Sequence, residues 1–224
     1  MIHDKVFQNE EDWATFRGGL FTASEIHRLL SEPKNKKELL SVGAKTYVME
    51  RVSAILAPSE PNYYNSAMEH GNQTEPQAVL RIAKELNKTV DDDDFIYTSV
   101  GGYVFFFDDE YDLGGTPDVI IKDLDMCCEV KCPMSKTHLE YLLIKTQEDV
   151  KKSLGKYYAQ MQLNIYLTNT KKCLFVSFDD RFYNEKNHYH SIEILRDEPY
   201  IENLLSKAKI AKEEKENIMK QFKN

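Results

Sequence analysis

Between residues 119 and 132 the chain reads as two apolar runs separated by charge. Val119, Ile120 and Ile121 are followed by Lys122 to Asp125, and the chain returns through Met126 to Cys132. That pattern predicts a β-hairpin. Side chains alternate between the faces of a strand, so Cys127, Glu129 and Lys131 share one face and Met126, Cys128, Val130 and Cys132 the other. The second face reads as core. The first carries a carboxylate and a lysine, and the hairpin brings Asp118 beside them from the head of the neighbouring strand.

Helical spacing predicts a helix over residues 43–57, with Tyr47, Val48, Arg51, Val52 and Ile55 three or four apart. A second is expected over residues 66–86, where Met68, Gly71, Glu75, Val79, Ile82 and Leu86 form one stripe. Glu75 lies in the middle of that stripe, and a carboxylate on an apolar face is costly unless it is paired or meets a metal. Pro76 is expected to bend or restart the helix, which leaves open a Glu75 twisted to the rim. Gly18-Gly19 close a first short helix, and Thr22 with Glu25 three residues on reads as a capping box that starts another. Further helices are expected over residues 138–144, 153–168 and about 197–222, with 145–152 as a polar connection. Residues 95–99 and 103–107 read as strands around Gly101-Gly102 that join the central hairpin in one mixed sheet; 173–178 and 190–195 read as two more.

The hairpin residues imply a chemistry. Two carboxylates, Asp118 and Glu129, with a backbone carbonyl, that of Val130, suit Mg²⁺ and leave positions for water and a phosphate oxygen. Lys131 then orients and helps deprotonate water, or steadies charge on the reacting phosphate. The bland reading is a surface Glu–Lys pair, which contributes little; a pair one residue apart on a buried-looking strand, with an Asp at its partner's head, favours the site. Arg17, the first-turn hydroxyl of Ser24 and a helix N-terminus make a phosphate site or, on these residues alone, a capped helix with an exposed arginine. Lys34, Lys36 and Lys37 touch phosphates or form a solvated loop. Asp91 to Asp94 read as a solvated turn.

Composition changes the picture in four respects. At 224 residues, 42% hydrophobic and 11% aromatic, the chain is expected to form one domain with a sizeable core over residues 1–224. No stretch approaches the ~20 apolar residues that span a bilayer, and the start of the chain lacks the apolar region of a signal peptide, so no membrane role and an intracellular location are expected. Cys127, Cys128, Cys132 and Cys173 show no paired CxxC spacing and read as reduced, structural thiols, with Cys127 pointing outward. The net charge of −8 gives no overall basic footprint, so a nucleic-acid partner requires a local basic groove or an oligomer that pools its cations.

Thr116-Pro117-Asp118 followed by Glu129-Val130-Lys131 resembles the PD-(D/E)xK nuclease core, and the continuation into Cys132-Pro133 is similar to the lambda exonuclease and YqaJ-like viral recombinase branch. The likeness extends to Arg17-x-Gly19, Phe21-Thr22-Ala23-Ser24-Glu25-Ile26-His27, the Gly71-x-x-x-Glu75 segment, Tyr158-Ala159-Gln160-Met161-Gln162, and Asp197 with Tyr200-Ile201. It implies an α/β (α+β) restriction-endonuclease-like fold, a central mixed β-sheet flanked by helices. It also implies a Mg²⁺-dependent alkaline exonuclease, with Mn²⁺ substituting, that degrades linear double-stranded DNA 5′→3′ and leaves 3′ single strands for phage or viral recombination. By the same resemblance Asp118 and Glu129 bind the metal, Glu75 completes its shell, Lys131 acts on water, and Arg17, Ser24 and Thr116 hold the 5′-phosphate. Gln160, or Gln162 two residues on and facing nearly the other way, donates to the scissile phosphate. A ring-shaped homotrimer, a single-strand annealing partner and, for a viral source, the host-cell cytoplasm follow in the same sense. Thr116 in place of serine and Pro76 after Glu75 depart from the pattern. The alternatives are a structure-specific endonuclease or resolvase on the same core, or a catalytically silent DNA-end-binding protein.

Overall fold

Residues 119–131 form the expected hairpin, and its second strand is the middle of a sheet. The computed structural model describes residues 1–57 and 66–222, with the side chains of all of these except 66–68, so the expectation for Met68 lies outside the described side chains. In chain order the elements are β1 (Ile2–Phe7), α1 (Glu10–Gly18), β2 (Phe21–Thr22), α2 (Val42–Leu56), α3 (Ser66–Glu85), β3 (Phe95–Tyr97), β4 (Tyr103–Asp108) and β5 (Leu113–Gly115). Then come β6 (Val119–Ile121), β7 (Met126–Lys131), α4 (Ser135–Leu142), α5 (Gln147–Ser153), α6 (Gly155–Thr168), β8 (Lys172–Phe178), β9 (Tyr189–Leu195) and α7 (Glu198–Met219). None of the described helices is long and apolar enough to cross a membrane.

The mixed α/β class stands, but the strands divide between two sheets, ordered β3-β6-β7-β8-β9 and β1-β4-β5-β2. β3 and β4 were expected to pair around Gly101-Gly102; instead β3 runs antiparallel to β6, and β4 runs antiparallel to β1 and β5. Gly101 and Gly102, at φ of +82° and +138°, carry the chain from one sheet to the other through backbone conformations that other residues rarely adopt. β1 had no counterpart in the sequence reading. Its Ile-His-Asp-Lys-Val-Phe run has little apolar alternation because all of its residues except Ile2 and Phe7 are exposed.

β7 pairs antiparallel with β6 and parallel with β8, and it is buried on both faces. That corrects the outward placement of Cys127: it is fully buried beneath α6 with Met161, Ile165, Cys173 and Phe175, and all four cysteines are free. The other face, Cys128 and Val130, packs against Ala78, Val79 and Ile82 of α3. Burying a Val or Ile side chain contributes ~1.5–3 kcal/mol, so α3 is fixed chiefly by these contacts. Pro76 neither bends α3 to a stop nor restarts it; the helix runs through. A proline there cannot donate to the Asn72 carbonyl, which is left free of its helical partner.

Two local expectations fail for identifiable reasons. Residues 23–28 form a 3-10 turn, and the Thr22 side chain does not cap it; the Thr22 N–H instead donates to the Tyr47 hydroxyl at 2.9 Å. The supposed polar connection after residue 144 contains α5, started by a reciprocal capping box between Thr146 and Asp149.

Candidate active site

β6 begins at Val119, opposite Cys128, so the last three residues of β7 have no β6 partner, and the site is built in that gap. The last ladder pair is Val119–Cys128, after which the Asp118 N–H donates to the Cys128 carbonyl at 3.0 Å. The next N–H on that edge, of Val130, has no strand opposite and donates to Asp118 Oδ2 at 2.6 Å. Within a strand a residue's N–H and C=O leave by the same edge, so the Val130 carbonyl also opens into the gap. Thr98, buried after β3, fixes the Pro117–Asp118 turn by donating to the Pro117 and Asp118 carbonyls at 2.6 and 3.1 Å.

Glu129, opposite Asp118, is 1% exposed. One carboxylate oxygen accepts from the Lys131 ammonium and the other from Asn164 Nδ2 at 3.1 Å. Lys131 Nζ also sits 5.1 Å from the centre of the Tyr157 ring. From α3, Glu75 approaches the same end of β7 and accepts from the Tyr97 hydroxyl at 3.1 Å.

The electrostatics single these groups out. Burial, then the Asp118 charge, pushes the Glu75 carboxyl up to about 7, against the Tyr97 hydrogen bond and Lys131. Burial pushes Glu129 up to about 7 as well; Lys131 opposes, while Asp118 and Glu75 add to the rise. Asp118 is raised by burial, against Lys131 and the Val130 N–H. Burial would lower Lys131, but Glu129 and Asp118 outweigh it and hold the amine protonated. Three acids in mutual repulsion are a concentration of negative charge that one ammonium does not neutralise.

These donors fit a hard divalent cation. Among the described residues, Asp118 Oδ1 and Glu75 Oε2 accept no hydrogen bond. No three His, Cys, Asp or Glu side chains among the described residues converge into a ready-made cage. Asp118, Glu129 and Glu75 act on one another's charge without forming a closed shell, so a metal held there would also need the Val130 carbonyl, water or a substrate oxygen.

Beside Glu75 a cavity of about 480 Å³ is lined by Trp13, Arg17, Asn72, Tyr97 and Thr116. Arg17, Thr116, Ser24 and Gln160 line a narrower one of about 140 Å³. Arg17 closes the last turn of α1, its guanidinium carbon 4.2 Å from the centre of the Trp13 ring. It makes no ion pair or hydrogen bond among the described residues, and burial lowers its pKa, with Arg51 acting in the same direction. A desolvated arginine without an acid partner, among hydroxyl and amide side chains, suits an anion. Thr116 is less free, since its hydroxyl donates to the Val104 carbonyl at 2.7 Å.

The two glutamines separate. Gln160 faces the Arg17 cavity. Gln162 is fully buried elsewhere, donating to the Leu195 carbonyl and accepting from the Asp197 N–H, both at 2.9 Å, so it fastens the β9–α7 join and is removed from the candidate site. Sequence reasoning missed Tyr97, Thr98 and Trp13, and saw Arg51 only as a helix-stripe position, although it lines a further cavity of about 480 Å³ with Arg17 and Ser24. The uneven spacing of aromatic and hydroxyl residues gave no signal for them.

The arrangement is that of an alkaline-exonuclease fold. The crystal structure of an alkaline exonuclease, LHK-Exo, from Laribacter hongkongensis matches with a TM-score of 0.69 at 24% identity, covering 95% of this chain and 96% of that one. Its complex with dAMP matches with a TM-score of 0.70. A phage related exonuclease from Haemophilus somnus 129PT matches at 0.69 with 14% identity, covering 91% of this chain and 96% of that one. No curated protein matches the chain. The YqaJ-like viral recombinase domain matches residues 12–171, and the chain belongs to that family.

Proposed function

We propose that the chain, acting as a single domain, is a deoxyribonuclease that digests linear duplex DNA from its 5′ ends and leaves 3′ single strands. The observation that carries this reading is the juxtaposition of Asp118, Glu129, Glu75 and Lys131 with the Arg17 cavity. One cluster is suited to a divalent ion and the other to a terminal phosphate. The family and the fold support it.

Asp118, Glu129, the Val130 carbonyl and Glu75 would hold Mg²⁺, with Mn²⁺ as a substitute. Bound there, a divalent ion neutralises phosphate charge and acidifies water. The chain's own residues do the rest. Lys131, kept protonated by the two carboxylates, is placed to stabilise charge on the reacting phosphate, which favours that role over accepting a proton. Glu75 and Glu129 are both raised to about 7, so both give up their protons readily to an incoming cation near neutrality. Arg17, Ser24, Gln160 and Thr116 grip the end phosphate and fix how far the strand enters. A homotrimer that pools cations around the DNA, and a single-strand annealing protein as partner, complete the reading.

The test is digestion, in Mg²⁺, of linear duplexes with 5′-phosphate or 5′-hydroxyl ends beside a closed circle. Loss of the phosphorylated linear strands from their 5′ ends, with the circle spared and EDTA stopping the reaction, is expected. Cleavage of the circle would select the endonuclease alternative, and end binding without digestion the silent one.

A further inference from the structure

Asn164 is a buried polar side chain that the reading above does not use. It lies on the inner face of α6, between buried Leu163 and Ile165, and is itself 0% exposed. Its Nδ2 donates to Glu129 Oε2 at 3.1 Å, while Lys131 occupies Oε1. Its Oδ1 is buried without a hydrogen-bond partner among the described residues. That oxygen sits where β5 comes closest: a Cβ on Gly115 would lie 2.7 Å from it. A half-satisfied amide costs more in such a place than an aliphatic side chain of the same size. The one thing it does there is hold a carboxylate.

We propose that Asn164 is a positioning residue that fixes the plane of the Glu129 carboxylate for a divalent ion, with the missing side chain of Gly115 making room for the amide. The inference rests on the reading of Glu129 as a metal ligand. A carboxylate held at one oxygen by a flexible lysine alone turns about its last bond. A second donor, from a helix packed in the core, removes that freedom. Because Asn164 is 0% exposed and lines none of the three cavities described above, it acts only through Glu129.

The experiment is a Mn²⁺ titration of the DNA-free protein, followed by electron paramagnetic resonance, for wild type, Asn164→Leu and Asn164→Ser. Thermal melts and end binding in EDTA are recorded on the same samples. Losing a donor to a ligating side chain weakens metal binding roughly 10–100-fold. That loss is expected in both variants, with end binding unchanged, the Asn164→Leu melt not lowered, and cleavage recovered at high Mg²⁺ with an unchanged KM for DNA. Asn164→Ser, which removes bulk rather than adding it, keeps the test open if the leucine does not fit. Wild-type Mn²⁺ affinity in a folded variant overturns the positioning role and leaves the metal site standing. No Mn²⁺ binding by wild type overturns the metal site, and the role of Asn164 with it.

Discussion

Glu75 and Glu129, both pushed to about 7, make the site a source of instability when no cation fills it. Each binds a proton more tightly folded than unfolded, where a glutamate titrates near ~4.3. Their contribution is therefore most favourable below that pH and is lost as pH rises through about 7. Melts in EDTA should fall between about pH 5 and 8, and Mn²⁺ should restore stability at the alkaline end. Glu75→Gln, which removes one acid from the repulsion, should flatten the fall and slow cleavage. A melt in EDTA that rises over that range would contradict the account. At the cavity, Arg17→Ala should cost about 1.5–3 kcal/mol of discrimination, or roughly 10–100-fold, between 5′-phosphate and 5′-hydroxyl ends, measured as a ratio of initial rates. Asp118, Glu129 and Lys131 were legible because strand alternation fixes what shares a face. The choice between Gln160 and Gln162 stayed open because two residues on a helix turn a side chain to the other side, and a motif does not say which of two glutamines faces the cavity.

Among the elements, the β6–β7 hairpin was legible and its setting was not. A run of Met, Cys, Cys and Val around Glu129 matches a strand buried on both faces as well as one with a solvated side, and the choice is made by α6 packing from elsewhere in the sequence. β3 and β4 read as a hairpin because two glycines separated them, yet the same glycines allow a swing between sheets. The segment just after β8 carries an ion pair that sequence spacing did not suggest, and its arginine reaches the chain just past β7. Arg181 grips fully buried Asp179 at 2.7 and 2.9 Å and donates to the Pro133 carbonyl at 3.2 Å. Burial would raise Asp179, but Arg181, Ser135 and a backbone N–H hold it at about 2. A depressed carboxyl stabilises the fold above its unfolded value near ~3.9 and loses that contribution as pH falls toward the folded one. Asp179→Ala, which removes the acceptor of the exposed Arg181 side chain and of a backbone N–H, should destabilise by roughly 1–3 kcal/mol in urea unfolding at pH 7, and the difference from wild type should shrink below pH 4.

For the whole molecule, a net charge of −8 must coexist with a polyanionic substrate. Arg17 and Arg51 are cations concentrated along the cavities, so duplex binding should be weak in the single chain and fall steeply with added salt. Light scattering should give three times the chain mass if the cations are pooled in a ring; a monomer that digests ends at the same rate would remove that part of the reading. The central claim, that the cluster at the end of β7 hydrolyses phosphodiesters, is tested most directly through Lys131. The measurement is Mg²⁺-dependent nucleotide release from a 5′-phosphorylated linear duplex by wild type and Lys131→Ala, each first shown to be folded and to bind the ends. The account predicts that the variant binds as wild type does and loses roughly 10²–10³-fold or more in rate. Release by Lys131→Ala at the wild-type rate would contradict it.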